Sequence, residues 1–169
     1  YVHLLTEVER RAYADRAEHM GDPDFWDVPL SMLTSKNYAK NRTKTINLEV
    51  ATPSSDISAS KKVFYETDET THYSVVDRWG NAVSVTTTIN LNYGNGCVVE
   101  GAGFFLNNEM DDFSSKPGVP NAFGLIGNEA NAIEASKRPL SSMTPTIVLK
   151  GNKPFLVIGS PGGSTIITT

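Results

Sequence analysis

A chain of 169 residues with 39% hydrophobic and 20% charged content is long enough for about one globular domain with its own core. Its formal net charge of -4, with lysine and arginine scattered rather than clustered, argues against nucleic acid as a partner. The single cysteine, Cys97, excludes an internal disulfide and a cysteine metal cluster, and reads as a small buried residue.

From Tyr1 to about Met20, a Glu-, Arg- and Ala-rich stretch whose helical spacing lets Leu4, Leu5, Val8, Ala12 and Tyr13 share a face predicts a helix. Gly21-Asp22-Pro23-Asp24 stops it. A second helix is predicted after Pro29, running to about Asn41, where Asn41-Arg42-Thr43 matches a glycosylation acceptor, a pattern frequent by chance. Thr52 to Thr67, rich in Pro, Ser, Asp and Lys, has the composition of an exposed loop. Strands are then predicted at His72 to Val76 and Ala82 to Ile89, joined by Asp77-Arg78-Trp79-Gly80-Asn81, whose Gly-Asn pair supplies the positive φ a hairpin needs. Asn107 to Met143 reads as irregular. Pro145 to Lys150 and Pro154 to Ile158 form a second predicted hairpin around Gly151-Asn152. No apolar run reaches the ~20 residues of a membrane span, and the start lacks a signal-peptide pattern. Both ends look cut, Tyr1 entering a helix with no initiator methionine and Pro161-Gly162-Gly163-Ser164 opening one near the last residue, so a piece of a longer protein is expected.

Strand parity makes one stretch unusual. Ala82, Ser84, Thr86, Thr88 and Asn90 share a small, polar face, while Val83, Val85, Thr87 and Ile89 share an apolar one. On the first strand, counting back from Ser74 gives His72 and Thr70. If the register brings that face to Thr88 and Asn90, a threonine at the lip of the sheet sits beside a hydroxyl and an amide. Taken by itself, a water-facing strand surface is the simpler account of the same row.

Thr70-Thr71-His72-Tyr73-Ser74-Val75-Val76-Asp77 with Gly80-Asn81-Ala82-Val83, then Asn107-Asn108-Glu109-Met110-Asp111-Asp112-Phe113, then Lys137-Arg138-Pro139-Leu140-Ser141-Ser142-Met143-Thr144-Pro145-Thr146, and Gly159-Ser160-Pro161-Gly162-Gly163-Ser164 together resemble the gamma-glutamyltranspeptidase family, in its order and spacing. Ala12-Tyr13-Ala14-Asp15-Arg16 and Gly21-Asp22-Pro23-Asp24-Phe25 extend the resemblance over almost the whole chain. It implies an N-terminal-nucleophile hydrolase made as a precursor, with residues 1–69 the end of a large chain and 70–169 the start of a small, nucleophile-bearing one. The implied fold class is α+β, part of a four-layer αββα sandwich left incomplete by missing segments, with apolar surface exposed or covered by self-association.

The resemblance assigns roles to individual residues. Thr70 attacks the carbonyl of Glu69, cleaves the chain before itself, and gains a free α-amine that activates its hydroxyl. Thr70 is preferred over Thr71 by alignment with the family's first threonine alone. Thr88 matches the threonine that hydrogen-bonds the nucleophile. Asn90, Glu109 and Asp112 match residues holding the α-amino and α-carboxylate groups of the substrate, Ser141 and Ser142 a serine pair binding its carboxylate, and Gly162 and Gly163 the oxyanion-hole glycines. The implied substrates are glutathione and other gamma-glutamyl compounds, with an amino acid, peptide or water as acceptor and no cofactor or metal. The whole protein is expected in the periplasm or outside the cell. Catalysis also needs the absent segments, including an arginine of the large chain, so this piece, with Glu69–Thr70 uncut, is expected to be inactive.

Other readings remain open. A relative with the same threonine but another acyl group, such as a cephalosporin or glutaryl acylase or a capsule-transferring enzyme, is disfavoured by Asn90, Asp112 and the serine pair; a non-catalytic structural fragment is the third class. Glu109, Asp111 and Asp112 are compatible with a solvated acidic loop, and lack the alternating spacing of a calcium loop. Ser141-Ser142 next to Pro139 are compatible with a turn, and Gly162-Gly163 with an anion nest lacking the Lys-Ser/Thr of a phosphate loop. His3, His19 and His72 have no metal-site spacing, and His72 reads as an ordinary strand residue.

Overall fold

The computed structural model describes residues 1–57, 70–122 and 124–169. The architecture is mixed α and β, with helices early in the chain and two antiparallel hairpins later. The described residues of 1–57 and 110–140 form one compact unit, and those of 70–109 and 141–169 another.

In the first unit α1 spans Val2–His19, as predicted. Its buried stripe is Glu7, Arg11 and Ala14, one turn apart, while Leu4, Leu5 and Val8 of the predicted apolar face stand exposed. The reason is a polar cluster that satisfies both charges. The Glu7 carboxylate accepts from Arg11 Nη1 at 2.6 Å, Thr52 Oγ1 at 2.6 Å and the Thr52 amide at 3.0 Å. Arg11 also donates to Thr45, and Arg10 donates to the Thr52 carbonyl at 2.9 Å. Buried charge is costly unless paired and hydrogen-bonded, and here it is both.

α1 stops where Gly21 passes the backbone of Ala130 so closely that a Cβ there would lie 2.0 Å from the carbonyl oxygen. Asp22 then accepts from the Asp24 amide at 3.1 Å and from both the amide and Nε of Arg138 at 2.9 Å, which tethers the chain just ahead of Pro139. The predicted second helix is two, α2 Leu30–Leu33 and α3 Lys36–Thr43. Ser35 breaks it: its side chain accepts from the Tyr38 amide at 3.1 Å and caps α3, a local bond that competes with continuous helix. Of the predicted 52–67 loop, Thr52 is pinned and partly buried, and residues from 58 onward lie outside the described residues.

In the second unit β1 (Thr71–Val76) pairs with β2 (Ala82–Thr87), Thr71 opposite Thr87 and Val76 opposite Ala82. The turn forms because Asp77 Oδ1 accepts from the amides of Trp79 and Asn81, both at 2.9 Å, while Gly80 takes φ 89. β3 (Thr146–Lys150) and β4 (Lys153–Ile158) form the second hairpin, with a register shift at Val148/Leu149. The polar face of the first hairpin meets the end of β4, where Ser84 Oγ donates to the Ile158 carbonyl at 3.1 Å. Tyr73, Val75, Val83, Leu149 and Phe155 are each at least half exposed. Cys97, expected to be buried, is exposed: it sits in a turn where its amide donates to Asn95 Oδ1 at 2.8 Å. No described helix is long and apolar enough to cross a membrane.

Candidate active site

Thr70 immediately precedes β1 and has φ 95, a rare conformation for a β-branched residue. The β1–β2 register sets His72 opposite Thr86 and Ser74 opposite Ser84, and ends at Thr71 opposite Thr87, with Thr70 just ahead of β1 and Thr88 just after β2. Thr88 follows the last residue of β2. Its Oγ1 accepts the Asn90 amide at 2.9 Å, a local turn that ends the strand and leaves the hydroxyl proton to donate elsewhere.

Asn90 is 5% exposed and also has positive φ, 73. Its side-chain amide donates to the Asn108 carbonyl at 3.1 Å, and Asn108 Oδ1 accepts the Leu91 amide at 3.1 Å. Asn108 is therefore a bracket that holds the Asn90 loop beside the start of the Glu109 turn, a role that strand and turn patterns do not reveal. Glu109 is half-buried and opens the 3-10 turn Glu109–Asp112, its amide capped by Asn107 Oδ1 at 3.0 Å. Asp112 belongs to the first unit, where with Arg16 and Asn131 it lines a cavity of about 30 Å³. Burial lowers the Arg16 pKa, and the charges of Tyr13 and Asp112 oppose that shift.

Ser141 is exposed and Ser142 half-buried, and Ser141 Oγ accepts the Met143 amide at 3.0 Å in the turn leading to β3. After β4, Gly162 and Gly163 have φ 127 and 58 and open the 3-10 helix Gly163–Thr168. Among the described residues, neither glycine amide donates to a backbone carbonyl. Two successive amides in such a turn can converge on one negative oxygen. Glu69, the other half of the expected cleavage site, lies outside the described residues. Among the described residues no group of three or more His, Cys, Asp or Glu side chains could hold a metal ion.

The family model described as gamma-glutamyltranspeptidase matches residues 1–169. The chain belongs to the gamma-glutamyltranspeptidase family. It is 57% identical over 166 residues to the glutathione hydrolase proenzyme of Escherichia coli strain K12, an alignment covering 98% of this chain and 29% of that protein. A crystal structure of a Helicobacter pylori gamma-glutamyltranspeptidase mutant superposes with TM-score 0.56 and 76% identity, over 58% of this chain and 53% of the other. A structure of acivicin-inhibited gamma-glutamyltranspeptidase, described as revealing critical roles for its C-terminus in autoprocessing and catalysis, gives the same TM-score, identity and coverage of this chain. This member of the family thus spans under a third of the E. coli relative's length.

Proposed function

We propose that the whole protein containing this chain is a glutathione hydrolase and gamma-glutamyltransferase that cleaves itself between Glu69 and Thr70 and then works through a gamma-glutamyl ester on Thr70. Residues 1–69 and 70–169 are then parts of a large and a small chain, and the exposed hairpin faces are inner layers of a four-layer αββα sandwich whose remaining elements come from the rest of the protein.

In the first step Thr70 Oγ attacks the Glu69 carbonyl, its proton passes to the departing Thr70 nitrogen, and water hydrolyses the resulting ester. The unusual φ of Thr70 favours this direction, since such backbone costs on the order of 1–3 kcal/mol and the torsion disappears with the peptide bond. In the second, the new α-amine, with an ordinary pKa of about 8, takes the Thr70 hydroxyl proton as Oγ attacks the gamma-carbonyl. The developing oxyanion is held by the amides of Gly162 and Gly163, and the proton passes on to the leaving amine. Water or an amino acid then attacks the ester.

Asn90, Glu109 and Asp112 hold the substrate's α-amino and α-carboxylate ends, and the hydroxyls of Ser141 and Ser142 the carboxylate. The observation that supports the reading is the family match over residues 1–169, together with Thr70 directly ahead of β1 and Thr88 directly after β2, its hydroxyl accepting from the Asn90 amide and so keeping its proton to donate. The test is full-length protein on a gamma-glutamyl anilide, together with the N-terminal sequence of its smaller chain. A chain beginning at Thr70 and release of the aniline are expected; an uncut, inert protein would falsify the reading.

A further inference from the structure

His72 makes a contact that an ordinary strand residue does not need. Its Nδ1 lies 2.8 Å from Thr86 Oγ1 and its Nε2 3.0 Å from Ser74 Oγ, so both ring nitrogens are engaged by hydroxyls of its own hairpin. The ring so fixed stands against the backbone of Gly159, the residue after β4. A Cβ on Gly159 would lie 2.3 Å from Cε1, 2.4 Å from Nδ1 and 3.0 Å from Nε2, and these ring atoms are its three nearest neighbours. The φ of Gly159 is not in the left-handed region, so the backbone there has no need of glycine. What requires glycine is the imidazole. Ser84, on the same face as His72, ties the preceding carbonyl of Ile158 at 3.1 Å. Two residues on from Thr70 in one direction, and three before Gly162 in the other, the ring is thus the spacer between the strand that starts at the nucleophile and the turn that carries the two glycine amides.

We propose that His72 is a positioning residue, and Gly159 its seat, setting the distance between Thr70 and the Gly162–Gly163 amides. The proposal rests on the reading of function given above. Neither residue touches the substrate; each acts through the turn. Misplacing a reacting group by about 1 Å can cost on the order of a hundredfold in rate, so a displaced turn should appear in kcat rather than in KM.

The experiment is a double-mutant cycle in full-length protein, with Gly159→Ala, His72→Asn and the pair together, reading kcat and KM on a gamma-glutamyl anilide and the fraction of chain cleaved before Thr70. Gly159→Ala has to push the ring off Thr86 and Ser74, and an expected fall in kcat of at least about tenfold with KM within about threefold follows. His72→Asn keeps a polar atom near the Nδ1 position for Thr86 and withdraws the rest of the ring, so a milder loss is expected. In the double variant the added methyl takes vacated space, and kcat should recover above that of Gly159→Ala alone. Independent effects, with the double loss equal to the product of the single ones, would overturn the proposal, as would a rise in KM at unchanged kcat. Should Gly159→Ala be insoluble or uncut, recovery of soluble, cleaved protein in the double variant supports the proposal and failure to recover it refutes it. An inactive, uncut wild-type protein would instead refute the assigned function and is seen before any variant is compared.

Discussion

At the residue scale the proposed chemistry rests on a few short side chains, and each can be tested by its own replacement. Thr70→Ala in the full-length protein is expected to leave one uncut chain and to abolish turnover, whereas Thr70→Ser keeps a hydroxyl and should cleave slowly; denaturing gels and mass measurement separate the two. Thr88→Ala removes the hydroxyl proposed to donate to Thr70, and self-cleavage should slow by about a hundredfold, the scale of one positioned proton donor, with the time course of chain separation as the measure. Asn108 offers a sharper test because its carbonyl holds the Asn90 side chain while its own side chain holds the Leu91 amide. Replacing it with alanine keeps its carbonyl but removes the oxygen that receives the Leu91 amide, so the Asn90 loop loses a tether. The expected outcome is a KM for the gamma-glutamyl donor raised several-fold with kcat little changed; unaltered KM would show the bracket to be irrelevant to binding. Thr70 was singled out by the motif alone, since strand parity left a water-facing row open. The contacts of Asn108, His72 and Gly159 were not legible, because they join loops and hairpins that meet only on folding.

At the element scale, local chemistry was readable and distant chemistry was not. Both hairpins follow from turn residues between alternating strands, Asp77 with Gly80 in one and Gly151 in the other. The length of α1 follows from Gly21 and the proline beyond it. Its buried face does not, because Glu7 and Arg11 are drawn inward by Thr45 and Thr52, more than 30 residues away, and no periodicity within the helix records that pull. The same cluster carries a pH prediction. Hydrogen bonding from Thr52 first, and from Arg11 next, overcomes burial and draws the Glu7 pKa from 4.5 down to about 2. A carboxyl whose folded pKa is depressed adds stability that is complete above its unfolded value and is lost as pH falls through the folded one. Glu7→Gln should therefore lower the melting temperature at neutral pH, and the gap to the parent protein should close between pH 4.5 and about 2. A gap constant across that window would mean that Glu7 contributes through shape rather than charge.

At the scale of the whole molecule, each sheet among the described residues has two strands, and such a sheet is marginal in water unless something covers its apolar face. Here Tyr73, Val75 and Val83 on one hairpin, and Leu149 and Phe155 on the other, remain at least half exposed. The chain accounts for 29% of the E. coli relative's length, and in the proposed sandwich further elements cover these faces. Family membership was legible from four separated motifs; what covers these faces was not, because alternation along a strand tells which face is apolar and not what packs against it. Two consequences can be measured on the 169-residue chain purified by itself. If further layers are needed to bring the cleavage machinery together, its intact mass under denaturing conditions stays at a single species near 18.4 kDa, while the full-length protein separates into two chains. If the uncovered faces seek a partner, light scattering should show mass rising with concentration, and Val75→Lys and Val83→Lys together should reduce that rise without restoring cleavage. A short chain that cut itself before Thr70 would place the whole of the first chemical step within these residues, and the further layers of the proposed sandwich would then serve the substrate rather than the nucleophile.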